Sequence, residues 1–152
     1  MEHIQNDVKN IFSLIRLRKR ATADEEESAL RLLDIYIDYD IDLMKGLLFY
    51  AGSRKDYMDF PAAVIGRAGF QLDRVQRGLD PDDWKPMTSI GAGVKEVRLR
   101  DESGAYRIIY LATFSETVFV LHAFQKKTQR TAKRDIDLAA QRFKELVRSL
   151  KS

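Results

Sequence analysis

The chain has 152 residues, of which 45% are hydrophobic, 10% aromatic and 32% charged. That composition fits one globular domain with a small appendage and excludes global disorder. With no cysteine and only two histidines, disulfides, thiol catalysis, cysteine-based zinc sites and a histidine metal cluster are excluded, so neither metal nor cofactor is expected.

In chain order, residues 4–19 read as a helix. Ile4, Val8, Ile11, Phe12 and Ile15 recur at three- and four-residue steps, and a basic cluster at the end suits the helix dipole. Thr22-Ala23-Asp24-Glu25 has capping-box spacing and opens a second helix carrying Leu30, Leu33 and Tyr36. Residues 37–43 alternate as a strand does, with Asp38, Asp40 and Asp42 on one face. This extension carries 6 Lys and Arg against 10 Asp and Glu. Residues 44–152 carry 20 against 13, so an acidic, mostly helical extension precedes a basic domain. Met44, at the seam, could serve as an alternative translation start.

Residues 45–51 read as the first strand of the basic domain, broken by Gly52-Ser53. One or two helices follow between Asp56 and Gly78, with Pro61 in a first turn and Ile65, Phe70, Leu72 and Val75 as apolar positions. Gly78 and Pro81 end that stretch. Residues 84–87 read as a loop anchored by Trp84, the only tryptophan, as a core plug. Gly91 and Gly93 bracket a turn before three strands, at 94–100, 105–114 and 117–124. The short connectors between them make an antiparallel meander. Residues 133–150 close the chain as a helix with Ile136, Ala139, Ala140, Phe143, Leu146 and Leu150 inward. The fold class expected is α+β: strand, helices, three-strand meander, helix, built on a small antiparallel sheet. No apolar run approaches the length of a membrane span, and the N-terminus lacks the marks of a secretory signal. A soluble cytoplasmic protein is expected.

The strand period sorts the chemistry. Glu96, Arg98 and Arg100 share one face of their strand, opposite Val97 and Leu99. In the third meander strand, Phe119 and Leu121 should oppose Val118, Val120, His122 and Phe124. A face carrying Arg98, Arg100, Arg107 and Lys126 suits phosphate, which guanidinium groups grip bidentately. The plainer reading is a solvated outer sheet face. Phe124-Gln125-Lys126-Lys127-Thr128-Gln129-Arg130 is a cationic run with an aromatic neighbour, the composition that holds single-stranded nucleic acid. His122 is either a general acid or base or a half-buried structural residue.

Four segments then stop being generic: Trp84-Lys85-Pro86-Met87, Gly93 to Arg98, Tyr106 to Tyr110 and His122 to Thr128. Together with the helix end Asp73 to Gly78, they resemble the phage-derived RelE-like toxins, on the HigB side of the RelE/ParE superfamily. The resemblance covers residues 44–152 and none of 1–43. It implies a compact antiparallel sheet flanked by helices and cleavage of messenger RNA in the ribosomal decoding site. It also implies a cognate helix-turn-helix antitoxin as partner. Carried onto this chain, Arg98, Arg107 and Lys127 would be the catalytic cations. Lys126 and Phe124 would steer or stack the RNA. From the residues themselves, the basic strand and the cationic run add Lys95, Arg100, Thr128 and Arg130 to the expected RNA-binding set. The family's tyrosine base after the basic run is missing, since that stretch reads Lys133-Arg134-Asp135-Ile136-Asp137. Asp135, His122 or Tyr106 would have to substitute, or the positive field alone would activate the 2′-hydroxyl. The other function class is a non-catalytic one: a ParE-like topoisomerase inhibitor, or a toxin relic kept for protein binding. The extension would cover part of the basic surface or add a core or homodimer contact.

Overall fold

A computed structural model describes residues 44–151. The helices and alternating stretch expected over residues 4–43, and the covering and homodimer roles given to them, lie outside the described residues. The elements run β1 (Gly46–Phe49), α1 (Ser53–Met58), α2 (Ala62–Gln76), β2 (Trp84–Pro86), β3 (Val94–Asp101), β4 (Gly104–Leu111), β5 (Thr117–Lys126) and α3 (Lys133–Lys151). The fold is α+β, as expected.

The sheet has five strands in the order β1-β5-β4-β3-β2. β3, β4 and β5 form the expected antiparallel meander. β1 pairs with β5 in parallel, so the sheet is mixed and not purely antiparallel. Residues 84–86, expected as a loop, are an edge strand antiparallel to β3. Pro86 is tolerated there because an edge strand leaves one side of its backbone unpaired. Trp84 is only half-buried, and Lys95 Nζ sits 4.3 Å from its ring centre, so it is an edge residue capped by a cation and not a core plug.

Two apolar layers cover the sheet. On one face Tyr57, Val64, Ala68, Leu72 and Val75 of α1 and α2 pack on Val97, Leu99, Ile108, Tyr110, Val118 and Val120. On the other, Ala139 and Leu146 of α3 pack on Val94, Ile109, Leu111, Phe119 and Leu121. The helical stretch splits at Asp59–Pro61, with Pro61 as the N-cap of α2, where its missing N–H is harmless. Phe70, read as an apolar position, and Leu150, expected inward, are both exposed. Phe70 lies on the outer side of α2 at 60% exposure, and Leu150, in the last turn of α3, is 50% exposed.

β5 departs from strict alternation. Its register against β4 slips between Ile109 and Tyr110, so that Ile109 faces His122 while Tyr110 faces Val120. Leu121 is the extra residue of a β-bulge, which resets the alternation beyond it. Phe124 therefore joins Phe119 and Leu121 in the α3 layer, while Ala123 joins Val118 and Val120 in the other. The expected division of β5 holds up to the bulge and inverts after it. His122 and Phe124 thereby reach the face that carries the meander arginines.

Candidate functional site

Register builds the site row by row. Arg98 stands opposite Arg107, and Arg107 opposite Phe124. Lys85 stands opposite Glu96, and Arg100 opposite Ala105, itself opposite Lys126. Directly paired residues share a face, so these cations all belong to the α3 side of the sheet. α3 covers the part of that face bearing Ile109, Leu111 and Phe119. Beside the helix start lies a cleft of about 520 Å³, lined among others by Lys85, Ser89, Arg98, Lys126, Arg130 and Ile136.

Behind Arg98 sits a buried ion cluster. Glu96 is 1% exposed, and its Oε1 lies 3.4 Å from Arg107 Nε, 3.9 Å from Arg98 Nε and 3.9 Å from Lys85 Nζ. Neither carboxylate oxygen of Glu96 has a hydrogen-bond partner, and nor do the Nε atoms of Arg98 and Arg107. Arg107, 3% exposed, donates from Nη1 to the Tyr106 carbonyl at 2.9 Å. Burial pushes the Glu96 carboxyl above its ordinary value, and the charges of Lys85, Arg107, Arg98 and Lys126 offset this only in part. Burial likewise lowers the Arg107 guanidinium, with Glu96 opposing the shift and Arg98 and Arg100 adding to it. Lys126 is also lowered, first by desolvation and then by the neighbouring Arg107. Each of these directions disfavours the charged form. The cluster concentrates positive charge at an energetic cost that an incoming anion would relieve.

The residues named from sequence divide by position. Arg98, Lys126 and Arg130 line the cleft, and Arg107 lies behind its wall. Arg100 is exposed on the same face. Lys127 and Thr128 follow β5, exposed and not among the residues lining the cleft, and the Thr128 hydroxyl donates to the Arg130 carbonyl. Lys95 is on the opposite face, where its Nζ donates to Asp80 at 3.0 Å. Tyr106 is also on that face, 3% exposed, with its ring 4.9 Å from Phe60 and its hydroxyl hydrogen-bonded to Ser103. It does not reach the cleft. Phe124 is 8% exposed and stacked on His122 at 5.1 Å, so its ring is core and not a platform for a base.

His122 and Asp135 meet each other. His122 Nε2 lies 2.8 Å from Asp135 Oδ1, and its Nδ1 is 3.4 Å from Asp56 Oδ2, which Arg142 approaches at 3.2 Å. Arg142 also donates to the Leu121 carbonyl at 2.9 Å. This polar network ties α1 and α3 to the bulge in β5. Two contributors went unassigned in the sequence. Lys85 was hidden because residues 84–87 read as a loop. Glu96 was recognised on the arginine face, and an acid between Lys95 and Arg98 inside a basic strand was the signal that it had a buried role.

A sheet face half covered by a helix, ending in a cleft of lysine and arginine, defines a small α+β protein equipped to receive an anion. Residues 55–144 match the family described as Phage derived protein Gp49-like (DUF891). The match covers more than half of the chain, and the chain belongs to that family. It is a RelE-like toxin family associated with toxin–antitoxin systems, which implies an antitoxin partner. No curated protein matches the chain.

Proposed function

We propose that this protein is the toxin of a type II toxin–antitoxin pair of the HigB-like group and a metal-independent, ribosome-dependent messenger RNA endoribonuclease. The observation that carries this reading is the convergence of Lys85, Arg98, Lys126 and Arg130 on one cleft, backed by Arg107. A scissile phosphate in that cleft would meet guanidinium and ammonium donors from three strands and the loop after β5. Those donors would stabilise the extra charge that develops as a 2′-hydroxyl attacks the adjacent phosphorus. The antitoxin would be a helix-turn-helix protein.

The test is induced expression followed by mapping of messenger RNA 5′ ends. New ends within translated frames, lost in an Arg98→Ala variant of equal abundance, are expected. Growth arrest without any new ends would sink the ribonuclease reading. One observation favours a second reading, a non-catalytic toxin that acts by binding a protein such as a topoisomerase. Among the described residues lining the cleft there is no histidine, carboxylate or tyrosine to serve as a base. Under that reading supercoiling, and not message integrity, would change on induction.

A further inference from the structure

The cluster behind the cleft contains one anion too well buried to be a surface counter-charge. We propose that Glu96 is an internal stand-in for the substrate phosphate. It holds the cleft cations in their anion-bound arrangement and holds down their affinity for loose RNA. This inference rests on the cleft being the RNA site.

Three observations support it. Glu96 is 1% exposed, so solvent does not stabilise its charge. Its oxygens lie among cations from three strands, at 3.4 Å from Arg107, 3.9 Å from Arg98 and 3.9 Å from Lys85. Yet neither oxygen, and neither of the two arginine Nε atoms facing it, is hydrogen-bonded. A carboxylate serving only to satisfy an arginine would settle into the short bidentate pair that guanidinium favours. Here a single Oε1 is shared at 3.4–3.9 Å by three cations. Of these, Lys85 and Arg98, which line the cleft, keep their exposed donors for a second anion, while Arg107 stays buried behind them.

The electrostatics then set opposing effects on binding and turnover. The negative charge of Glu96 lowers the potential felt by an incoming phosphate. It also fixes Arg98 and Arg107, so that less ordering is left for the transition state. Glu96 is therefore a positioning residue, acting through the arginines without touching RNA. The charged groups facing it are Lys85 on β2, Arg98 on β3, Arg107 on β4 and Lys126 on β5, with Asp83 3.8 Å beyond Arg98. By linkage, phosphate binding and ionisation of Glu96 must oppose each other by the same factor.

The test uses the full chain and a short single-stranded RNA oligonucleotide. Glu96→Gln should bind it about 5- to 30-fold more tightly at low salt, as expected for removing one charge within several ångströms. Its plot of log affinity against log salt should steepen by about 0.7, one further phosphate contact's worth. In translation extracts the variant's KM and kcat should both fall, whereas a merely structural lesion would lower kcat and weaken binding. Glu96→Asp, which keeps the charge, should return the salt slope to that of the parent. In case Glu96→Gln does not fold, the parent protein labelled with ¹³C at glutamate carboxyls supplies an independent measurement. Adding RNA should move the Glu96 titration to higher pH. If the parent binds RNA but Glu96→Gln binds no tighter, or RNA leaves the Glu96 signal unmoved, Glu96 is not a phosphate stand-in and the cleft reading survives. If neither protein binds RNA at any salt concentration, the cleft reading fails and takes this inference with it.

Discussion

Arg98 and Arg107 stand opposite each other on adjacent strands, but they answer different questions when replaced. Arg98 is about one-third exposed on the cleft wall, so Arg98→Ala should abolish growth arrest with little change in unfolding midpoint. Arg107 is buried against Glu96. Arg107→Met would leave that carboxylate buried without its nearest cation, which should cost about 3–5 kcal/mol in a denaturant titration. Loss of toxicity in Arg107→Met would thus report folding as much as chemistry. The double variant Glu96→Leu/Arg107→Met should recover most of the lost stability and remain inactive, because an apolar pair is often at least as stable as a buried ion pair. Recovered stability together with recovered activity would show that the cluster has no part in function. The lysine pair gives a cleaner contrast. Lys126 lines the cleft and Lys127 does not, so Lys126→Ala should lower message cleavage at least tenfold and Lys127→Ala far less. The reverse ranking in a translation extract would place the scissile phosphate outside this cleft.

Elements follow from period more readily than from composition. α3 was legible because Ile136, Ala139, Ala140, Phe143 and Leu146 keep a helical spacing throughout, and the meander because short turns separate three apolar runs. Three features were not legible. β2 is three residues long and contains a proline, so only its partner β3 makes it a strand. The parallel pairing of β1 with β5 joins strands far apart in sequence, which local pattern does not encode. The bulge at Leu121 adds one residue without any glycine or polar marker, and it reverses the face of everything after it. Of the candidate site, Arg98, Lys126 and Arg130 could be read from the chain because they lie on or beside regular strands. Lys95 and Tyr106 lie on the other sheet face, which a resemblance does not reveal because it orders residues along a chain without saying which face each occupies. Phe124, by contrast, is on the arginine face with its ring buried against His122. The loop from Met87 to Gly91 shapes the cleft and has its own test. A Cβ on Gly91 would come within 2.3 Å of the Phe143 ring, so the turn touches α3 only because glycine is there. Gly91→Ala should destabilise the protein by about 1–3 kcal/mol through forced repacking. Thermal unfolding would read this, and an unchanged midpoint would mean that the turn is not pinned to the helix.

At the scale of the whole molecule, the issue is what the cleft lacks. Binding and orienting a phosphate takes donors, which Lys85, Arg98, Lys126 and Arg130 supply. Moving a 2′-proton takes a group that can accept it. The burial-raised phenols Tyr57 and Tyr110 are poor acceptors, and both lie in the opposite apolar layer. His122 and Asp135 are engaged with each other under α3. No group of three or more potential metal-ligating side chains occurs among the described residues. Under the proposed function such a cleft would position RNA better than it activates it, and the remaining barrier would be lowered by geometry imposed from outside. A messenger RNA held in the decoding site can be pre-bent towards in-line attack, and proximity and orientation of that kind are worth several kcal/mol. The purified chain should therefore cut a translated message at least a hundredfold faster than the same RNA free in solution. Its residual activity on free RNA should not depend on divalent cations. Raising salt from about 50 to 200 mM should suppress the free-RNA reaction much more than the ribosomal one, since counterion release governs the encounter only when nothing else holds the RNA. Comparable rates on free and translated RNA, abolished by a chelator in the ribosome-free reaction, would establish a metal nuclease and remove both the ribosome and the cationic cleft from the mechanism.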